Sequence, residues 1–141
     1  SAEIDSRIID ALHIRHIRDE PVANLSYGLQ KRVEIARAMA MQPKILLLDE
    51  PVAGMSREER EDIADLILEI RQKWNVTVLM VEHDMGLVMD ISDHVVVLSF
   101  GRTIAEGSPE EVQQNPEVIT VYLGSNAAGQ LASLPNAEMQ P

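Results

Sequence analysis

Apolar residues recur at near-helical spacing at Ile4, Ile8, Ile9, Leu12, Ile14 and Ile17, and this predicts a helix over 4–17. Pro21 ends that region, and Asn24 or Ser26 is placed to cap a second helix over 28–41. Val33, Ile35, Ala36, Met39 and Ala40 form one stripe on it before Pro43 stops it. The continuous run Ile45-Leu46-Leu47-Leu48 predicts a strand buried on both faces. Ser56-Arg57-Glu58-Glu59 is a capping box that opens a helix over 57–73, with Ile63, Leu66, Ile67 and Ile70 on its inner face. A second buried strand is expected over 76–81, a short helix over 84–91 with Asp84 as N-cap, and a third strand over 95–99. Gly101 turns the chain into Thr103-Ile104-Ala105, read as an antiparallel partner. Ser108-Pro109-Glu110-Glu111 starts one helix, and Asn115-Pro116 starts another that runs to about Leu123. After Gly124 the residues become small and polar, so 125–141 is expected to be mostly disordered. Strands alternating with helices define an α/β class with a mainly parallel sheet flanked by helices.

Charge narrows the possible partners. Twenty-three acids oppose twelve bases, a formal net charge of -11. A nucleic-acid binder needs a basic footprint to displace counterions, so that class is disfavoured. Docking on an anionic bilayer through bulk charge is disfavoured as well. The chain has no cysteine, which excludes disulfides and thiolate chemistry. Its longest apolar runs are strand-sized, far below the roughly 20 residues that span a bilayer. Glu3, Asp5 and Arg7 interrupt any apolar core of a leader peptide. A membrane connection is therefore expected only through partners.

Three short segments carry candidate chemistry. Asp49 and Glu50 follow the apolar run at 45–48 and precede Pro51. A buried strand ending in two acids puts charge at the carboxyl edge of a sheet, where α/β proteins bind ligands. Asp49 is suited to hold magnesium and Glu50 to polarise a water; the alternative is two strand-end acids facing solvent. Leu25-Ser26-Tyr27-Gly28-Leu29-Gln30 places a hydroxyl and a glycine at a helix start, which makes either an anion site or a simple cap. Val81-Glu82-His83-Asp84 ends a strand on a histidine, either a donor to a phosphate or a structural residue. His13 and His16 read as surface or packing residues.

Taken in order, Ser26-x-Gly28, Asp49-Glu50-Pro51 and His83 make the chain resemble the ATP-binding-cassette (ABC) ATPases over about residues 1–123. In that family these are the signature motif, the Walker B motif with its catalytic glutamate, and the switch histidine. Val52-Ala53-Gly54-Met55-Ser56 lies where the family has its D-loop. The tyrosine of Leu25-Ser26-Tyr27-Gly28, the Ala53-Gly54 pair, the Glu82-His83-Asp84-Met85 run and the segment from Glu117 to Tyr122-Leu123-Gly124 resemble the branched-chain amino-acid importer type. Three positions depart from the commonest pattern: Tyr27 replaces the first glycine of the signature, as the importer subfamily tolerates, Leu29 replaces its glutamine, and Ser56 stands where the D-loop usually has aspartate.

The resemblance implies a partial P-loop NTPase fold: 1–42 as the end of a helical subdomain with the signature motif, 43–107 as the core with Walker B, D-loop and histidine, 108–124 as C-terminal helices and 125–141 as a tail. It implies ATP and magnesium, with Asp49 on the metal, Glu50 and His83 catalytic, and Ser26, Gly28 and Gln30 on the nucleotide of a facing subunit. It also implies a second ATPase subunit and transmembrane permease subunits as partners, and a cytoplasmic position against the inner face of the plasma membrane. The rival reading is a non-catalytic regulatory or dimerisation module. ATPases of DNA repair and chromosome maintenance share two of the motifs, but fit the acidic charge and the importer-like ending less well.

No G-x-x-x-x-G-K-[ST] phosphate loop occurs in the 141 residues, and Lys31, Lys44 and Lys73, the only lysines, follow no such glycine. The glutamine loop of the family is not identifiable either. The expectation is that both lie upstream, in a longer parent chain, and that this chain alone does not bind ATP tightly. In the family the phosphate-loop strand lies between those assigned here to 76–81 and 95–99. Without it, 95–99 is expected to close onto 76–81, or two chains to exchange strands in a homodimer.

Overall fold

The computed structural model describes residues 1–123, and the segment 125–141 expected to be disordered lies outside them. The chain divides into two compact units, the first Ser1–His83 and the second starting at Asp84.

The first unit contains helices α1 (Ala2–Ala11), α2 (Tyr27–Ala40) and α3 (Arg57–Trp74), and strands β1 (Ile45–Asp49) and β2 (Thr77–Val81). Of the stripe on α2, Ile35, Ala36 and Met39 are buried and Val33 is half-buried, while Ala40, in the last turn, is exposed; Ile8, Ala11 and Leu12 on and just after α1 are buried too. The Arg32 guanidinium donates to the Leu12 carbonyl at 3.1 Å and ties the end of α1 to α2. α3 opens on a complete capping box: Ser56 Oγ accepts from Glu59 N, and the Glu59 carboxylate accepts from Ser56 N. Its face Ile63, Leu66, Ile67 and Ile70 is buried as expected. The guanidinium of Arg7 sits 4.9 Å over the Trp74 ring and links α1 to the end of α3.

The first helix is shorter than its pattern. α1 ends at Ala11, His13 takes a left-handed conformation (φ 55°), and a single 3-10 turn covers Arg15–Ile17. The side chain of Arg15 folds back onto Asp10 and Ser6 and fastens this reversal. Leu12 and Ile14 are still buried, so the apolar spacing is served by a turn rather than by more helix.

β1 and β2 pair in parallel, in register from Ile45 opposite Thr77 to Asp49 opposite Val81. The expected burial on both faces is not found. Leu46 is buried, but Leu47 and Leu79, partners on the opposite face, are 69% and 61% exposed, and Ile45 and Val81 are exposed beside them. Among the described residues, one apolar face of the β1–β2 pair is therefore open.

The second unit contains α4 (Met85–Ile91), β3 (Val95–Ser99), β4 (Arg102–Gly107), α5 (Pro109–Gln113) and α6 (Pro116–Val118), followed by a wide helical turn over Ile119–Leu123. Asp84 caps α4 by accepting from Leu87 N at 3.0 Å, and Ser108 and Glu111 form the capping box of α5. β3 and β4 make an antiparallel hairpin across Phe100 and Gly101, both at positive φ, the geometry of a two-residue turn. Val95, Val97, Val112 and Val118 form the core of this unit. The Tyr122 hydroxyl donates to the Leu98 carbonyl. Within their own units, β1 pairs with β2 and β3 pairs with β4.

Candidate functional site

Parallel pairing brings the carboxyl ends of β1 and β2 together, with Asp49 opposite Val81. Asp49 is exposed at that edge. Glu50 N donates to the Val81 carbonyl at 2.8 Å, extending the ladder by one residue. Glu50 itself has φ +46°, a left-handed conformation uncommon for a residue with a long side chain, and it directly precedes Pro51. Such conformations cost of order 1–3 kcal/mol and persist only where surrounding bonds determine them. Here the Ala53 N–H donates to the Glu50 carbonyl at 3.1 Å, and Val52 and Met55 are buried just beyond. The Glu50 carboxylate Oε1 stands 3.6 Å from His83 Nε2, and both side chains remain open to solvent, at 49% and 71%.

Glu82 is the residue that sequence reasoning did not single out. Its carboxylate accepts from Val52 N at 3.4 Å and from His83 N at 3.1 Å, so it touches the loops leaving both strands. The only signal in the sequence was an acid next to a strand-end histidine; its link to Val52 depends on the strand pairing.

Ser26, Gly28 and Gln30 form a second group at the start of α2. Ser26 has extended dihedrals and caps the helix, its Oγ accepting from Leu29 N at 3.4 Å. Gln30 turns back on the preceding loop: its amide donates to Leu25 O at 3.1 Å and Val22 O at 3.3 Å, which fastens the Ser26 loop. Gly28 has room for a Cβ, since the nearest atom, Glu59 Oε1, would lie 3.9 Å from it. The packing of this chain does not require glycine there. Lys31 lies 5.6 Å over the Tyr27 ring and pairs with Glu34 at 2.9 Å, and the bond to Glu34 raises the Lys31 ammonium above its ordinary range. The two histidines set aside above lie outside both groups, with His13 exposed and 3.4 Å from Glu69. Among the described residues, no set of three or more His, Cys, Asp or Glu side chains could hold a metal ion. A lone strand-end carboxylate such as Asp49 still suits magnesium, which takes one or two carboxylates and fills its other positions with water and substrate oxygens.

A parallel strand pair ending in adjacent acids and a histidine, with a serine-capped, glycine-bearing helix in the same unit, is the arrangement of an ATP-binding-cassette domain. The chain belongs to the ABC transporter family: the model of that name matches residues 2–53, and the model described as branched-chain amino acid ATP-binding cassette transporter matches residues 102–128. It is 47% identical over 116 residues to the high-affinity branched-chain amino acid transport ATP-binding protein BraF of Pseudomonas aeruginosa, covering 82% of this chain and 46% of that protein. It is 51% identical over 102 residues to the corresponding protein LivG of Escherichia coli, covering 72% of this chain and 40% of that one. Among solved structures, an ATP-binding cassette of an ABC transporter in its ADP conformation superposes with a TM-score of 0.77 at 36% identity, covering 86% of this chain and 49% of that one. Cbio1 of Clostridium perfringens, part of the ABC transporter complex cbiONQ, superposes with a TM-score of 0.78 at 34% identity, covering 94% of this chain and 53% of that one. The chain thus spans about half the length of the relatives it matches. Its fold is mixed α/β, part of an ABC ATPase domain.

Proposed function

We propose that this chain is the part of an ATP-hydrolysing transporter subunit that activates the attacking water and offers the signature helix to a facing subunit. The observation that supports this most is the approach of Glu50 to His83 at adjacent strand ends, with Glu50 held in a left-handed conformation. Glu50 accepts a proton from water as the water oxygen bonds to the γ-phosphorus of ATP and the bond from that phosphorus to the β,γ-bridging oxygen breaks, releasing ADP and phosphate. His83 donates a hydrogen bond to the γ-phosphate, where negative charge has to be held. Ser26 has its oxygen engaged by Leu29 N, and its own hydroxyl proton is available to a phosphate oxygen of the facing site. The amino end of α2 adds a favourable field for that anion. Gly28 lets the nucleotide approach the α2 backbone, and Gln30 acts through the Leu25 loop it fastens. Magnesium, when bound, supplies charge neutralisation at the β- and γ-phosphates, with Asp49 as its protein ligand.

The whole subunit works with a second ATPase subunit and with membrane-spanning permease subunits, on the cytoplasmic side of the membrane. No described helix is long and apolar enough to cross a membrane. The names of the relatives and the match at 102–128 favour a branched-chain amino acid or a similar small solute as cargo. The 141 residues alone hold ATP weakly, because they contain no phosphate loop. The test is uptake of labelled leucine by vesicles carrying the intact subunit and its permease. ATP-driven uptake that is lost with Glu50→Gln supports the reading, and uptake that persists in that variant contradicts it.

A second reading concerns this chain by itself. The open face of Ile45, Leu47, Leu79 and Val81 favours association of two copies, including a strand-exchanged homodimer.

A further inference from the structure

Because β1 and β2 are parallel, the loops that leave their carboxyl ends start side by side. One carries Glu50, Pro51 and Val52, and the other carries Glu82 and His83. Glu82 accepts one backbone N–H from each loop, Val52 on Oε1 at 3.4 Å and His83 on Oε2 at 3.1 Å. The two donors sit on different oxygens, and a carboxamide would put an NH2 donor in place of one of those acceptors. Val52 is only 3% exposed, so its N–H has poor access to water if the carboxylate is removed. The imidazole on the neighbouring residue is the one that stands 3.6 Å from Glu50.

We propose that Glu82 is a positioning residue: its carboxylate clasps the Val52 loop to the histidine turn, so that His83 and the chain leaving Glu50 are held as one body. It acts through Val52 and His83. The clasp is a property of this chain. Its consequence for turnover rests on the proposed roles of Glu50 and His83.

Two measurements separate these. Amide hydrogen exchange, followed residue by residue, is compared for the wild type, Glu82→Ala and Glu82→Gln. Removing both acceptors is expected to speed exchange at Val52 and His83 by about tenfold or more while amides inside β1 and β2 keep their rates. Glu82→Gln, which keeps one acceptor oxygen, is expected to release one of the two. Should Glu82→Ala speed every amide through loss of fold, the near-isosteric Gln variant decides. Unchanged exchange at both amides overturns the clasp. In the intact subunit, Glu82→Gln is expected to lower kcat about tenfold with KM for ATP and melting temperature nearly unchanged. Altered exchange with normal kcat overturns the positioning role. A wild-type subunit without ATP turnover overturns the hydrolytic reading, and the exchange result stands on its own.

Discussion

Glu50 Oε1 lies 3.6 Å from His83 Nε2, and Glu50 reaches that place from a left-handed backbone conformation directly ahead of a proline. Glycine adopts that conformation without steric cost. Glu50→Gly is therefore expected to stabilise the chain by about 1 kcal/mol in denaturant unfolding, while removing ATP turnover from the intact subunit. A destabilised Glu50→Gly variant would show that the backbone there carries no strain.

Gly28 gives a parallel case on the other group. A Cβ at this position meets nothing nearer than 3.9 Å. Glycine in a helix is worse than alanine by roughly 0.5–1 kcal/mol. Gly28→Ala should raise the unfolding midpoint of this chain and reduce turnover in the intact, dimeric subunit, where the methyl group would meet the bound nucleotide. Full turnover with raised stability would mean that nothing approaches α2 at Gly28.

Acid should loosen the reversal after α1. The hydrogen bond from Arg15 holds the Asp10 carboxyl below its ordinary value of 3.8. A carboxyl depressed in the folded chain contributes stability that is present above the ordinary value and is lost as pH falls through the folded one. Both side chains are exposed, so the effect is small and screened by salt. NMR titration should place Asp10 below 3.8, and Arg15→Gln should return it toward that value.

The open face of the β1–β2 pair predicts self-association of the isolated chain. Leu47 and Leu79 face each other across the ladder and are both exposed. Sedimentation velocity should show dimers growing with concentration, and Leu47→Lys with Leu79→Lys should suppress them. A clean monomer at high concentration contradicts the homodimer reading.

How much of this was legible depended on how local each signal was. The capping boxes Ser56/Glu59 and Ser108/Glu111 need only a spacing of three, and both form as read. The α2 stripe and the β3–β4 hairpin are equally local. The first helix was read too long because Leu12, Ile14 and Ile17 keep a helical spacing although Arg15 folds back on Asp10. Burial of β1 on both faces was inferred from an apolar run, but a run reports what a strand can bury, not what lies over it. At the candidate site, Asp49, Glu50 and His83 were visible as strand-end residues. The left-handed turn at Glu50 and the Glu82 bridge to Val52 follow from the register of two strands 32 residues apart, from Ile45 to Thr77, and no local pattern encodes that.

The central claim is that Glu50 activates the attacking water. Steady-state ATP hydrolysis by the intact subunit carrying Glu50→Gln tests it most directly, because glutamine keeps the shape and removes the base. Turnover should fall by about 10²-fold or more with ATP binding retained. Turnover near the wild-type rate would contradict the account.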